Sequence, residues 1–345
     1  MEIALYHPDH GYYGSGENRV GKEGDYVTGP TLSPVFGASL GGLVREFLSR
    51  AGDEVSTVVD IGCGDGGLIN TMCAAGGGAG ASRFFGVDRS LSRVEANGCA
   101  RFVQTIDEVP RDGSHLLISN ELFDAFPFTR LVQRDEHLHE LWVTERDGEL
   151  DWSEHEAAAP WEDYFVEREI SLADGQFADV SMEWGAYYAD LCQIVSRGLI
   201  VTLDYGYPEK QLFDMRARRF GTAASYAGHR VSRDLLSTPG ERDLTAHVNF
   251  SDLIRAGQRA GFETLFFGRQ AQFLLAIGAA EHELLRPIEE GAVATVAEAV
   301  ELQERREEAR RLILPDGIGE EIRVLVQSRG IEVQGWSFQR ELFRR

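Results

Sequence analysis

Thr57-Val58-Val59-Asp60-Ile61-Gly62-Cys63-Gly64-Asp65-Gly66 is the stretch that decides how this chain reads. A short apolar run rich in β-branched residues passes into three glycines at alternate positions. The run predicts a buried strand, and the missing side chains let the backbone turn tightly and approach a ligand at the start of the next helix. Working outward, further strand patterns fall at 83–87, 101–104, 115–119 and 199–203, separated by helical or glycine-rich stretches. Upstream, Ser33-Pro34 supplies an N-cap and a first-turn proline ahead of Val35, Phe36, Leu40, Leu43, Val44, Phe47 and Leu48 at helical spacing. Strands interleaved with helices imply a doubly wound, mostly parallel, Rossmann-like α/β sheet covered on both faces.

Between the fourth and fifth strands, Leu141-Trp142-Val143 and Leu150-Asp151-Trp152 flank Asp147-Gly148, a hairpin-turn signal that predicts an inserted antiparallel region. Residues 251–261 read as a helix, and 262–267 with 272–277 as the two strands of a closing C-terminal antiparallel hairpin. From 281 to about 313 the chain is charged and helical. The expected organisation is an N-terminal segment and helix over 1–55, a ligand-binding core over 56–130, the insertion over 131–198, the second half of the core over 199–280 and a helical and strand region over 281–345.

With 345 residues, 43% of them hydrophobic, the chain can bury a full core. No run of about 18 apolar residues occurs, and Met1-Glu2-Ile3-Ala4-Leu5-Tyr6-His7 lacks the basic start and apolar core of a signal peptide. A cytoplasmic protein with no membrane insertion is expected. Cys63, Cys73, Cys99 and Cys192 show neither a Cys-x-x-Cys pair nor a disulfide framework, so a reducing compartment and no metal site are expected. The formal charge of −22 makes nucleic acid a poor partner. Only Lys22 and Lys210 are lysines; apart from short clusters such as Arg216-Ala217-Arg218-Arg219, the arginines are dispersed.

The glycines alone leave the ligand open, because Gly62-x-Gly64-x-x-Gly67 also satisfies a dinucleotide fingerprint. Asp60 tips the reading: a carboxylate before the loop suits the cationic amino acid end of S-adenosylmethionine and repels a pyrophosphate. Asp88 ends the second strand, where it can accept from both ribose hydroxyls, or else cap a helix opening at Asp88-Arg89-Ser90-Leu91. Asp107 is placed to reach the adenine amino group, with an exposed turn as the alternative. After the fourth strand, Ser119-Asn120-Glu121-Leu122-Phe123-Asp124-Ala125-Phe126-Pro127 sets an amide and two acids at the carboxyl edge of the sheet. Asn120 is assigned to the cofactor, or to a helix cap; Glu121 and Asp124 face the methyl acceptor. Asp204-Tyr205-Gly206 offers another acid and an aromatic face on the same edge. For an arginine acceptor these carboxylates would orient the guanidinium and draw off its proton.

These three motifs, together with Ala4-Leu5-Tyr6-His7-Pro8-Asp9-His10-Gly11-Tyr12-Tyr13, Gly24-Asp25-Tyr26-Val27-Thr28-Gly29-Pro30 and Asp243-Leu244-Thr245-Ala246-His247-Val248-Asn249-Phe250, resemble the signatures of the MidA-like methyltransferases, the family of the mitochondrial complex I assembly methyltransferase. The resemblance runs from about residue 4 to about 319. It implies a class I methyltransferase fold with an added antiparallel region, S-adenosyl-L-methionine as cofactor, and a protein substrate with an accessible arginine, in the mitochondrial member a respiratory complex I subunit. It also implies that Asp25, Tyr26 and Thr28 lie over the substrate cleft. Tyr205 offers a cation–π face there, with core packing as the alternative, and His247 either contributes to the site or bonds backbone or caps a helix. Two departures bear on the site: Cys63 stands where the family commonly has proline, and no basic residue follows Gly221-Thr222. The competing expectations are a methyltransferase for another acceptor, a cofactor-binding assembly protein without essential catalysis, and, last, an NAD enzyme.

Overall fold

The computed structural model describes residues 1–14, 29–52, 55–76, 82–94, 98–287, 295–315 and 317–340. The central sheet contains β1 (Ser56–Ile61), β2 (Arg83–Val87), β3 (Arg101–Val103), β4 (Ser114–Asn120), β5 (Gly198–Tyr207), β6 (Glu263–Arg269) and β7 (Ile322–Arg329). Their order across the sheet is β6-β7-β5-β4-β1-β2-β3. Strands β1 to β5 pair parallel, and β7 runs antiparallel between β5 and β6. The order reverses at β1, so the carboxyl ends of β1 and β4 open the crevice where doubly wound sheets bind ligands.

Residues of β1 are buried on both faces, as a central parallel strand requires. One face carries the helix Pro34–Ala51, whose Ser33 side chain accepts the Val35 amide and whose Phe36, Leu40, Leu43, Val44 and Phe47 are fully buried against β1 and β4. The other face is covered by the helices Glu183–Ile194 and Phe250–Arg259, through Trp184, Tyr188, Leu191 and Leu253.

The insertion forms a four-stranded antiparallel sheet of Thr129–Arg134, His137–Arg146, Glu149–Glu156 and Phe177–Val180. Its predicted turn is present: Asp147 and Gly148 both take positive φ (56° and 86°), as a two-residue hairpin loop demands. A third sheet, Ala224–Ala227, Arg230–Ser232 and Asp243–Thr245, stands beside the crevice.

Two expectations are corrected. The stretch 272–277 is not a strand; Gln270–Ala276 is a helix whose Gln272 carboxamide accepts the Arg269 amide, and the antiparallel partner of β6 is the distant β7. Apolar residues at 271, 273, 274 and 276 fit either period over so short a run, so length alone could not decide. The cysteines are not all free either. Cys73, on the helix Gly67–Ala75, is bonded to Cys99, just before β3, while Cys63 and Cys192 are free and buried. This pairing removes the argument from cysteine usage for a reducing compartment. Cys99→Ser is expected to lower the thermal midpoint by roughly 5 °C, from a loop-closure contribution of about 3 kcal/mol. Thermal unfolding with and without reductant checks this; an unchanged midpoint would show that the bond does not contribute to stability.

Candidate active site

The loop after β1 is held against β2, because the amides of Gly62 and Cys63 both donate to the Val87 carbonyl (2.8 and 3.1 Å). Gly62, Gly64 and Gly66 take φ of 73°, 55° and 81°, a region that penalises any side chain. A Cβ at Gly64 would meet nothing within 4 Å, so open space lies on the side that a ligand would approach. Asp60 is buried beneath the loop, and its Oδ2 has no hydrogen-bond partner. Burial, with Asp88 and Asp65 nearby, pushes its carboxyl up to about 7. A buried carboxylate oxygen left unpaired at a glycine loop is the feature expected of a site that receives a cation.

Asp88 accepts the Gly64 amide (3.0 Å) through Oδ2 and the Ser90 amide (3.0 Å) through Oδ1, tying the loop to the end of β2. The helix expected to open at Asp88 is absent: described residues 88–94 form a bend and a turn. Asp107 lies on the 3-10 turn Ile106–Glu108, exposed and paired with Arg111 (2.9 Å). Asn120 ends β4 and does not cap a helix, because 121–126 is a loop. Its Oδ1 is buried and unpartnered, while its Nδ2 donates to Glu121 Oε1 (3.2 Å). Asp60, the three glycines, Asp88 and Asn120 thus fit S-adenosylmethionine, with two unpartnered buried oxygens beside a loop that is glycine at every second position.

The acceptor side is built on the loop 121–126, which is fixed at nearly every residue. Glu121 takes φ of 52°, and its amide donates to the Leu203 carbonyl (2.8 Å). Asp204 accepts the amides of Leu122 (3.1 Å), Phe123 (2.8 Å) and Tyr205 (2.8 Å). The Phe123 carbonyl takes the Trp184 indole, the Asp124 carbonyl takes the Ala246 amide, and the Ala125 carbonyl takes the Tyr6 hydroxyl. Asp204, expected near the acceptor, therefore spends its carboxyl group on the backbone of the loop that carries Glu121 and Asp124.

The loop forms the floor of a small cleft, partly open to solvent, lined by Tyr13, Glu121, Asp124, Tyr205, Tyr226, Asp243, Thr245 and His247. Burial and then Asp124 push the Glu121 carboxyl up to about 8, against the Gly29 amide (3.3 Å) and Asn120 that donate to it. Asp124 is raised well above its ordinary value by burial, Asp204 and Asp243. The Tyr13 hydroxyl donates to Asp243 (2.9 Å). His247 is driven down to about 4 by burial and by Arg218 and Arg323, so it is neutral at pH 7. Of the expected cleft residues, Tyr205 and His247 line it; Asp25, Tyr26 and Thr28 lie outside the described residues. Tyr13 and Asp243 stood within quoted motifs without a role, and Tyr226 carried no signal: its place is set by antiparallel pairing with Asp243. Among the described residues, no cluster suited to a metal ion occurs, and no helix is long and apolar enough to cross a membrane.

The sheet order, the glycine loop and the acid-bearing edge define a class I S-adenosylmethionine-dependent methyltransferase. Residues 88–268 match the model of a family described as putative S-adenosyl-L-methionine-dependent methyltransferases; the chain belongs to this family, and is a MidA-like member of it. It is similar to the mitochondrial protein arginine methyltransferase NDUFAF7 of Danio rerio (25% identity, 81% of this chain and 72% of that protein). It is similar also to the Caenorhabditis elegans homolog (25%, 83% and 73%) and to the Homo sapiens protein (22%, 75% and 64%). The chain thus spans roughly two thirds of the length of these relatives. A crystal structure of a candidate methyl transferase from Burkholderia thailandensis, bound to S-adenosyl-homocysteine, superposes with a TM-score of 0.84 at 27% identity, covering 98% of this chain and 88% of that one.

Proposed function

We propose that this methyltransferase acts on an arginine side chain of a protein substrate. The observation that carries the reading is the cleft itself: Glu121, Asp124 and Asp243 converge among Tyr13, Tyr205 and Tyr226 beside the carboxyl ends of β4 and β5. A guanidinium is planar and permanently charged, so it suits paired carboxylates with aromatic walls. The names of the relatives support the same acceptor. When bound, the cofactor supplies an electrophilic methyl group on a sulfonium. Asp60 and Asn120 anchor its polar end. Glu121 and Asp124 orient the guanidinium and take up the proton that its nitrogen loses, and the tyrosines keep water from the cleft. The test is methyl incorporation from labelled S-adenosylmethionine into otherwise identical peptides carrying arginine, lysine or norleucine. Label on the arginine peptides alone supports the proposal; label on lysine, or on small metabolites alone, refutes it.

The raised acids have a binding signature. Glu121 titrates at about 8 in the open cleft, so at pH 7 it is largely protonated; a bound cation lowers that value. Binding of an arginine peptide at pH 7 is therefore expected to release protons, close to one from Glu121 and more where the raised Asp124 ionises with it. Calorimetry in two buffers of different ionisation enthalpy measures this, and proton uptake would contradict the role given to Glu121.

A further inference from the structure

Within this strongly acidic chain, two guanidinium groups share one aromatic ring next to the acceptor cleft. The Cζ atoms of Arg218 and Arg323 lie 3.7 and 5.1 Å from the centre of the Tyr207 ring. Arg218 comes from the helix Met215–Arg218, the basic cluster noted in the sequence, and Arg323 from the start of β7. Both are half-buried. Among the described residues neither has a carboxylate within 4.0 Å; Arg218 donates to the Gln211 carbonyl and Arg323 to the carbonyls of Glu320, Glu321 and Ile322. Their neighbour Arg269 differs, because it is paired with Glu320 (2.5 Å). Burial, Arg269 and Arg218 all disfavour the Arg323 charge, and Glu320 offsets this only in part; two partly desolvated guanidinium groups on one ring, neither directly paired with a carboxylate, suit a site for an anion.

The pair is connected to the cleft. Tyr207 packs on His247 with ring centres 5.5 Å apart, and His247 in turn stacks on Tyr205 at 6.3 Å. Both His247 and Tyr205 line the cleft, and the buried His247 Nδ1 has no partner. The cationic pair therefore stands one ring beyond a cleft wall, on the side of β5 away from the cofactor loop on β1. An anion there belongs to the acceptor and not to the cofactor.

We propose that Arg218 and Arg323 form a specificity subsite for a carboxylate side chain of the protein substrate, an Asp or Glu close in sequence to the methylated arginine. This rests on the reading of the cleft as the guanidinium site. The acidic cleft and the basic subsite then match a substrate segment of opposite polarity, one basic residue and one acidic. Charge-assisted contacts to two guanidinium groups are expected to give a tenfold to hundredfold preference.

The experiment measures binding of short glycine-rich peptides, in the presence of S-adenosylhomocysteine, by calorimetry. Each peptide carries one arginine and one aspartate moved from three residues before to three after it, and each is compared with its asparagine counterpart. For at least one spacing the aspartate peptide is expected to bind ten to one hundred times more tightly, and Arg218→Gln is expected to remove most of that advantage. Arg323→Lys keeps a charge and is expected to retain part of it, which guards against loss of the carbonyl contacts of Arg323. Thermal unfolding establishes that both variants are folded. Equal binding of every aspartate and asparagine pair, or a preference unchanged in folded Arg218→Gln, would overturn the subsite. An Arg218-dependent aspartate preference that persists when norleucine replaces the peptide's arginine would support the subsite while counting against the guanidinium cleft.

Discussion

Glu121→Gln and Asp124→Asn, made singly, are each expected to lower kcat by a factor of 10² to 10⁴ while leaving the affinity for S-adenosylhomocysteine within about twofold of wild type. Both side chains line the acceptor cleft and neither belongs to the glycine loop. The pH dependence follows from the same geometry. The Glu121 carboxyl titrates at about 8, so the ionised form that receives a guanidinium grows as pH rises through that value. In wild type, kcat/KM should climb between pH 7 and 9, and the Glu121→Gln profile should lose that inflection. Single-turnover assays with saturating cofactor would check both; a pH-independent wild type, or full activity in both variants, would move the chemistry away from this loop.

Asp60→Asn is expected to weaken cofactor binding by at least tenfold and, at the same time, to stabilise the fold at alkaline pH. The carboxyl sits at about 7 in the folded chain against 3.8 ordinarily, because burial and the neighbouring Asp88 and Asp65 penalise its charge. A raised acid favours the folded state while it is protonated, and stability is lost as pH rises from about 4 to about 7. Above that range the ionised group costs on the order of 4 kcal/mol, at 1.36 kcal/mol per pKa unit. The variant's thermal midpoint should therefore exceed that of wild type at pH 8 and converge with it near pH 4. Lower stability at pH 8 would mean that the carboxylate has a partner in the fold. Retention at a destabilising position is understandable if the charge serves a cationic ligand.

Much of this was legible in the chain. The five parallel strands, the loop at 62–66 and the acids at 121 and 124 follow from periodicity, glycine placement and position at a sheet edge. The Asp147-Gly148 hairpin follows from turn chemistry. What sequence could not supply was set by tertiary context. Helix or strand for 270–276 depended on a partner strand more than fifty residues away. The Cys73–Cys99 pair spans 26 positions with no motif around it. The loop 121–126 resembled a capped helix because Asn120 and Glu121 are common at helix starts; Asp204 instead holds the amides of Leu122 and Phe123, which a helix would have turned elsewhere. The tyrosine walls of the cleft arise from three separate elements, at Tyr13, Tyr205 and Tyr226, and no local pattern brings them together.

Calorimetric titration of the purified protein with S-adenosylmethionine, S-adenosylhomocysteine and NAD, repeated on Asp88→Ala, bears most directly on a methyltransferase site at the β1 and β4 edge. One-to-one binding of both sulfur nucleosides, no binding of NAD, and loss of nucleoside binding in the variant is the predicted result. Binding of NAD in their place, or nucleoside affinity unchanged in Asp88→Ala, would contradict it.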